Sequence, residues 1–153
     1  MKNLSKGFTL IELLVVIAII GILASLALGN FNSAQGRARD AERKNDLKIV
    51  RDGLEQFRID TGSYPVSTNT TVPSAAQFTA LGTPLVPNYI RVLPDDPRGT
   101  GVFVYTYASS GTVYTMRACL ENLTDAIGTW TNTSCGSNGT ANNGNRTYTV
   151  VNP

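Results

Sequence analysis

Glu12 is the residue whose chemistry most needs a partner. It is the only charge among the 21 residues 8–28, a run of Phe, Leu, Ile, Val, Ala, Gly, Ser and Thr. A carboxylate in apolar surroundings is costly unless it is paired. Cys119 and Cys135 are the only cysteines. Two thiols 16 residues apart, with no third ligand, make a poor zinc site. In an exported domain they read instead as one disulfide, contributing about 3 kcal/mol in the chain-entropy model. The chain has no histidine, so the commonest general base and metal ligand is missing. No Ser-His-Asp or Cys-His set can form, and no phosphate-cradling glycine loop is present. The chain therefore reads as non-enzymatic, without a cofactor and without a metal site.

The element that positions Glu12 is a long helix. As a helix, residues 8–28 would span about 30 Å, the thickness of a bilayer's hydrocarbon core. Lys2 and Lys6 precede the run and no lysine or arginine follows until Arg37. That asymmetry keeps the N-terminus cytoplasmic and sends the remainder outward. From residue 30 the pattern turns amphipathic. Ala34, Ala38, Ala41, Leu47, Val50, Leu54 and Phe57 form one helical stripe. Seven basic and six acidic residues fall between Arg37 and Asp60. Asp40–Lys44, Lys48–Asp52 and Arg51–Glu55 are opposite charges four apart, a solvated face that stabilises the helix or a set of contacts between subunits. Gly62 is a natural stop, and Tyr64-Pro65 blocks continuation. One helix from residue 8 to about 60 would be close to 80 Å long.

Beyond it, residues 66–88 form a Thr-, Ser- and Pro-rich loop with a short helix at 74–81. Residues 102–107 and 112–120 alternate in β-formers around Ala108-Ser109-Ser110-Gly111, a hairpin signal. Phe103, Tyr105, Tyr107, Tyr114 and Met116 would line the face turned to the helix. Residues 131–146 are almost wholly polar and cannot bury a core; residues 146–151 read as a last strand. Asn69, Asn122, Asn132, Asn138 and Asn145 each open an Asn-x-Ser/Thr triplet, frequent by chance in so Asn- and Thr-rich a chain.

Gly7-Phe8-Thr9-Leu10-Ile11-Glu12, behind a short basic leader, resembles the processing and assembly motif of type IV pilin-like proteins: type IV pilins, competence pilins and type II secretion pseudopilins. Gly62-Ser63-Tyr64-Pro65 is similar to the helix exit frequent in that family. Tyr89-Ile90-Arg91-Val92-Leu93-Pro94-Asp95-Asp96-Pro97 is similar to a segment of its minimal C-terminal domains. The resemblance implies that a prepilin peptidase cuts between Gly7 and Phe8 and methylates the new Phe8 amine. It implies that Glu12 meets the Phe8 amine of a neighbouring copy during assembly. In the major pseudopilins a loop near the Tyr89–Pro97 segment holds calcium. Here only Asp95 and Asp96 are close by, fewer than the six to eight oxygens calcium prefers, and a proline-punctuated turn with Asp capping is expected. In the family the stretch between Gly21 and Gly29 can unwind in the filament, although many pilins carry proline where this chain has Gly29.

The expected fold is α+β, a long N-terminal helix whose second half packs on a small antiparallel sheet. The expected divisions are a leader, residues 1–7; an apolar membrane and filament-core helix, 8–29; and an extracytoplasmic globular domain, 30–153. The expected function is structural. The chain would be a subunit held in the cell membrane and then polymerised on an assembly platform into a pilus for adhesion, twitching motility or DNA uptake. The alternatives are a pseudopilin of type II secretion and a signal-anchored binding domain that never polymerises. An ordinary signal peptide cut near Ser25-Leu26-Ala27 would leave Glu12 without purpose. Net charge is +2; loss of Lys2 and Lys6 would reduce 13 basic residues to 11, equal to the 11 acidic ones. A neutral mature chain argues against a dominant nucleic-acid-binding field.

Overall fold

The computed structural model describes residues 8–70, 72–99, 103–127, 129–130 and 146–152, the side chains of 26–30 and 129–130 excepted. The fold is α+β. Helix α1 runs Leu10–Thr61, followed by α2 (Ala75–Ala80), α3 (Gly82–Leu85) and strands β1 (Thr106–Ser109), β2 (Tyr114–Leu120), β3 (Thr129–Trp130) and β4 (Arg146–Val151). The chain divides into two units, residues 1–35 and 36–153.

In the first unit, every described residue from Phe8 to Ser25 and from Phe31 to Gln35 is exposed. Among the described residues of this unit the Ile, Leu and Val side chains are all exposed. Among the described residues no helix is long and apolar enough to cross a membrane. The described side chains of the apolar run end at Ser25, whereas the run in the sequence continues to Leu28. Residues 21–29 are helical, as a continuous Leu10–Thr61 helix requires.

The second unit carries the core. The strands form one antiparallel sheet in the order β1-β2-β4-β3. Tyr107, Met116 and Val150 pair across three strands, and Ala118 pairs with Tyr148 across β2 and β4 beside them. Their side chains share a cluster with Leu47, Val50 and Leu54 of α1. Phe103 lies apart from that cluster, against Cys119. The expected hairpin is present, though β1 begins at Thr106. Its outer edge is closed rather than open: Tyr107 exchanges backbone hydrogen bonds of 3.2 Å with Ser74, and the Ser67 N–H donates to the Ser109 carbonyl at 3.1 Å. Paired edges of this kind resist adding a foreign strand. Ser74 also caps α2 through a reciprocal box with Gln77. At the end of α1, Gly62 has φ +86°, a left-handed conformation that glycine adopts without a Cβ clash.

The buried stripe of α1 differs from the expected one at its N-terminal end. Ala34, Ala38 and Ala41 are exposed, and the residues turned inward are Gly36, Asp40, Arg43, Leu47, Val50, Gly53 and Leu54. The face is continuous, with spacings of three and four, but its chemistry changes from apolar to charged toward the N-terminus. Gly53 sits where the helix meets the loop after α3. A Cβ there would lie 2.5 Å from Ile90 Cγ2. That methyl belongs to a β-branched side chain with little freedom to move. Gly53→Ala is therefore expected to destabilise the protein by about 1–3 kcal/mol through overpacking, despite alanine's better helix propensity. A urea midpoint unchanged or raised in Gly53→Ala would contradict the close approach.

Candidate functional site

The start of α1 is built by a local exchange of hydrogen bonds. Thr9 is the cap and Glu12 the third helical residue. Glu12 Oε2 accepts from the Thr9 backbone N–H at 2.9 Å and from the Thr9 hydroxyl at 2.7 Å. Thr9 Oγ1 in turn accepts from the Glu12 N–H at 3.3 Å. This is the reciprocal capping arrangement of a T-x-x-E sequence. A helix start of this kind would serve a plain membrane anchor as well as a filament subunit. The signal is legible in the sequence as Thr followed three residues later by Glu ahead of an apolar run. Phe8 is 89% exposed, and Leu10, Ile11 and Leu13 are 61–81% exposed, so the whole rim around Glu12 is apolar and open. Gly7 and Cys135 lie outside the described residues. Cys119 is buried on β2.

The charged end of the inward stripe is a second site, which the sequence reading missed. Arg43 is fully buried and binds three carboxylates at once. Its Nε and Nη2 fork onto Asp96 at 2.8 and 3.0 Å, while Nη1 donates to Asp40 at 2.7 Å and to Glu121 at 2.9 Å. Arg39 forks onto Glu121 at 2.7 and 2.6 Å. Asp40 accepts the backbone N–H groups of Glu121 and Asn122 at 2.9 and 2.8 Å. Phe103 lies between two guanidiniums, its ring centre 4.8 Å from Arg43 Cζ and 4.4 Å from that of Arg98. Lys44 reaches Asp125 at 2.6 Å. Thus one short stretch of α1 ties down both the Pro94–Pro97 turn and the turn after β2.

These contacts replace the expected pairs four residues apart. Asp40 pairs with Arg43, Lys44 with Asp125, Arg51 with Asp52, and Glu55 accepts the Tyr64 hydroxyl. Asp96 does cap its own turn, accepting the Arg98 N–H at 2.9 Å. Its carboxylate is nevertheless occupied by Arg43, leaving Asp95 as the sole exposed acid of that turn. Among the described residues no group of three or more His, Cys, Asp or Glu is placed to hold a metal. A guanidinium sits where the carboxylates of Asp40, Asp96 and Glu121 converge.

Hydrogen bonds from Arg39, against the opposing effect of burial and with help from Arg43, hold the Glu121 carboxyl down to about 2. Burial disfavours the Arg43 charge, but its bonds to Asp96 and Glu121 outweigh that and raise its pKa above the ordinary arginine value. A carboxyl lowered in the folded state stabilises the fold above its unfolded pKa of about 4.3. That contribution is lost as pH falls toward 2. The urea midpoint is therefore expected to drop between about pH 4.3 and pH 2, and to drop less steeply in Glu121→Gln. Parallel curves for the two proteins would show that Glu121 does not carry the effect.

Comparison with known proteins supplies the relationships. A family model described as the prokaryotic N-terminal methylation motif matches residues 2–28. The chain is 30% identical to type II secretion system core protein G of Klebsiella pneumoniae, over 82% of this chain and 94% of that one. It is 36% identical to the core protein G of Escherichia coli (strain K12), over 61% and 67%. It is 39% identical to type IV major fimbrial protein FimA of Dichelobacter nodosus, over 67% of each. No solved structure matches.

Proposed function

The chain belongs to the family of type IV pilins and type II secretion pseudopilins, and we propose that it is a structural subunit that polymerises into a type IV pilus filament. The observation that carries this is the first unit. Its helix exposes every described apolar side chain from Phe8 to Ser25 and holds one acid, Glu12, at its start. An apolar surface of this extent must be covered. Lipid covers it while the subunit waits as a single-pass membrane protein, N-terminus cytoplasmic, and the helices of neighbouring copies cover it afterward. A prepilin peptidase cleaves between Gly7 and Phe8 and methylates Phe8. An assembly platform lifts the subunit out of the membrane, and Glu12 takes the Phe8 amine of the adjoining copy as its partner. Cys119 and Cys135 form a disulfide in the exported domain, whose role is structural and not enzymatic.

Intact mass spectrometry of the purified protein tests processing and pairing together. The expected mass is that of a chain beginning at Phe8, heavier than its sequence by one CH2, for the methyl that replaces an amine hydrogen, and lighter by the two hydrogens lost to the disulfide. A chain beginning near Leu28 would contradict the reading, and a mass without the two-hydrogen deficit would contradict the disulfide.

A second reading, a pseudopilin of type II secretion, is favoured by the relatives named core protein G. Shearing separates the two. Surface filaments containing this chain support the pilus. A chain that stays with the cells, in a strain whose exported enzymes are lost on its deletion, supports the pseudopilus.

A further inference from the structure

The sheet has two edges, and only one of them is sealed. At β1 the backbone is bonded to Ser67 and Ser74. On the far side β3 covers only Arg146 and Thr147 of β4. Tyr148, Thr149, Val150 and Val151 pair with β2 on one side and, among the described residues, have no backbone partner on the other. In an antiparallel strand every second residue turns its N–H and C=O to the same side. This stretch therefore presents a short row of unused donors and acceptors, a template for one more strand. Thr149 and Val151 are exposed, and Tyr148 and Val150 are half-buried. We propose that this open edge of β4 takes up an extended, acidic segment of another polypeptide as an added strand.

Charge around the edge decides what that segment must carry. Tyr148 is on the helix-facing side of β4, its ring centre 5.9 Å from Lys44 Nζ and within electrostatic reach of Arg51. Lys44, Lys48 and Arg51 recur at helical spacing, so they line the side of α1 that runs along β4. Lys44 is bound to Asp125 and Arg51 to Asp52. Lys48 is exposed and has no ion pair among the described residues. Met116 and Ala118 of β2 face the helix, so Arg117 between them points to the opposite face of the sheet. It stands across from Thr149, half-buried and also without an ion pair among the described residues. One uncompensated cation thus flanks the open edge on each face. The acids nearest Lys48 along α1 are engaged, Asp52 by Arg51 and Glu55 by the Tyr64 hydroxyl. An added strand with carboxylates on both faces would meet a cation on each. A second copy of β4 would not, since Arg146-Thr147-Tyr148-Thr149-Val150-Val151 contains no acid. Pairing two such edges would bring like charges together, Lys48 toward Lys48 and Arg117 toward Arg117.

The test uses the full-length chain in detergent and a short fluorescent peptide of Val, Thr and Glu, with Glu on both faces of the strand. Its anisotropy should rise on titration with the protein. A peptide with Lys in place of Glu should bind about tenfold more weakly. So should an acidic peptide N-methylated at two adjacent central amides, which blocks both of its edges. Lys48→Glu and Arg117→Glu should each weaken binding of the acidic peptide roughly fivefold, the effect of one exposed ion pair. Amide hydrogen exchange at residues 148–151 should slow when the peptide binds, while exchange in the sealed β1 should not change. No binding of the acidic peptide, equal binding of its Lys or N-methylated forms, or unchanged affinity in both variants would overturn the proposal. Slowed exchange at residues 148–151 that grows with protein concentration and needs no peptide would assign the edge to a second copy, and would overturn the choice of partner.

Discussion

Filaments are expected to be nearly absent from cells whose only copy of the chain is Glu12→Gln, while processing at Gly7 proceeds. Glutamine retains the local geometry, since Gln serves as well as Glu at the third position of a capping box. Its carbonyl can still accept from Thr9, so the helix start survives and only the charge is removed. In a membrane that loss would be mild, because Glu12 lies in the first turn of the helix, near its end. In a filament core of packed apolar helices, water is gone. There an ammonium on Phe8 without a carboxylate opposite is a buried, unpaired charge, which strongly opposes assembly. The proposed pair would also fix the axial step between copies. Slippage by one turn along smooth Leu, Ile and Val faces would leave both charges without partners. Glu12→Val removes cap and charge together, and should be no worse than Glu12→Gln if charge is what matters. Electron microscopy and sheared-filament yield decide it. Abundant filaments from Glu12→Gln but not from Glu12→Val would mean that Glu12 serves only to start the helix.

Replacing Arg43 by methionine is expected to destabilise the second unit by about 3–5 kcal/mol. Methionine approximates the length and apolar stem of arginine, so little packing is lost. What is lost is the cation on which Asp40, Asp96 and Glu121 converge. Asp40 and Asp96 are 2% and 8% exposed, so water cannot take over. Arg43→Lys keeps the charge but cannot fork onto Asp96 while also reaching Asp40, so it should recover only part of the stability. Urea unfolding of the solubilised full-length chain measures both. Hydrogen exchange should show residues 94–99 and 121–127 loosening before the core of Leu47, Val50 and Leu54, since those turns are tied to α1 mainly through charge. A loss below about 1 kcal/mol in Arg43→Met would show that the network orients the turns without stabilising them.

Local order in this chain is written in neighbouring residues. The apolar run from residue 8 to 28 sets a helix with an apolar surface that must be covered. Thr9 with Glu12, Ser74 with Gln77, and Gly62 mark helix boundaries through groups three or four residues apart or through one glycine's backbone. The hairpin follows from strand alternation around Gly111. Tertiary structure decided where the charges of α1 go. Arg43 finds Asp96 and Glu121 at separations of 53 and 78 residues, and Arg39 finds Glu121 at 82. Pairs four apart on an exposed face contribute only about 0.3–0.5 kcal/mol, so bidentate partners brought by folding displace them. For the same reason the inward stripe could not be found from apolar residues alone. Asp40 and Arg43 face inward because the turns they bind lie there, and Ala38 and Ala41, though apolar, are left outside. The close approach at Gly53 is likewise invisible until Ile90 is brought against the helix. A residue's type states which partners it can accept, and only the packed chain determines which of them are near.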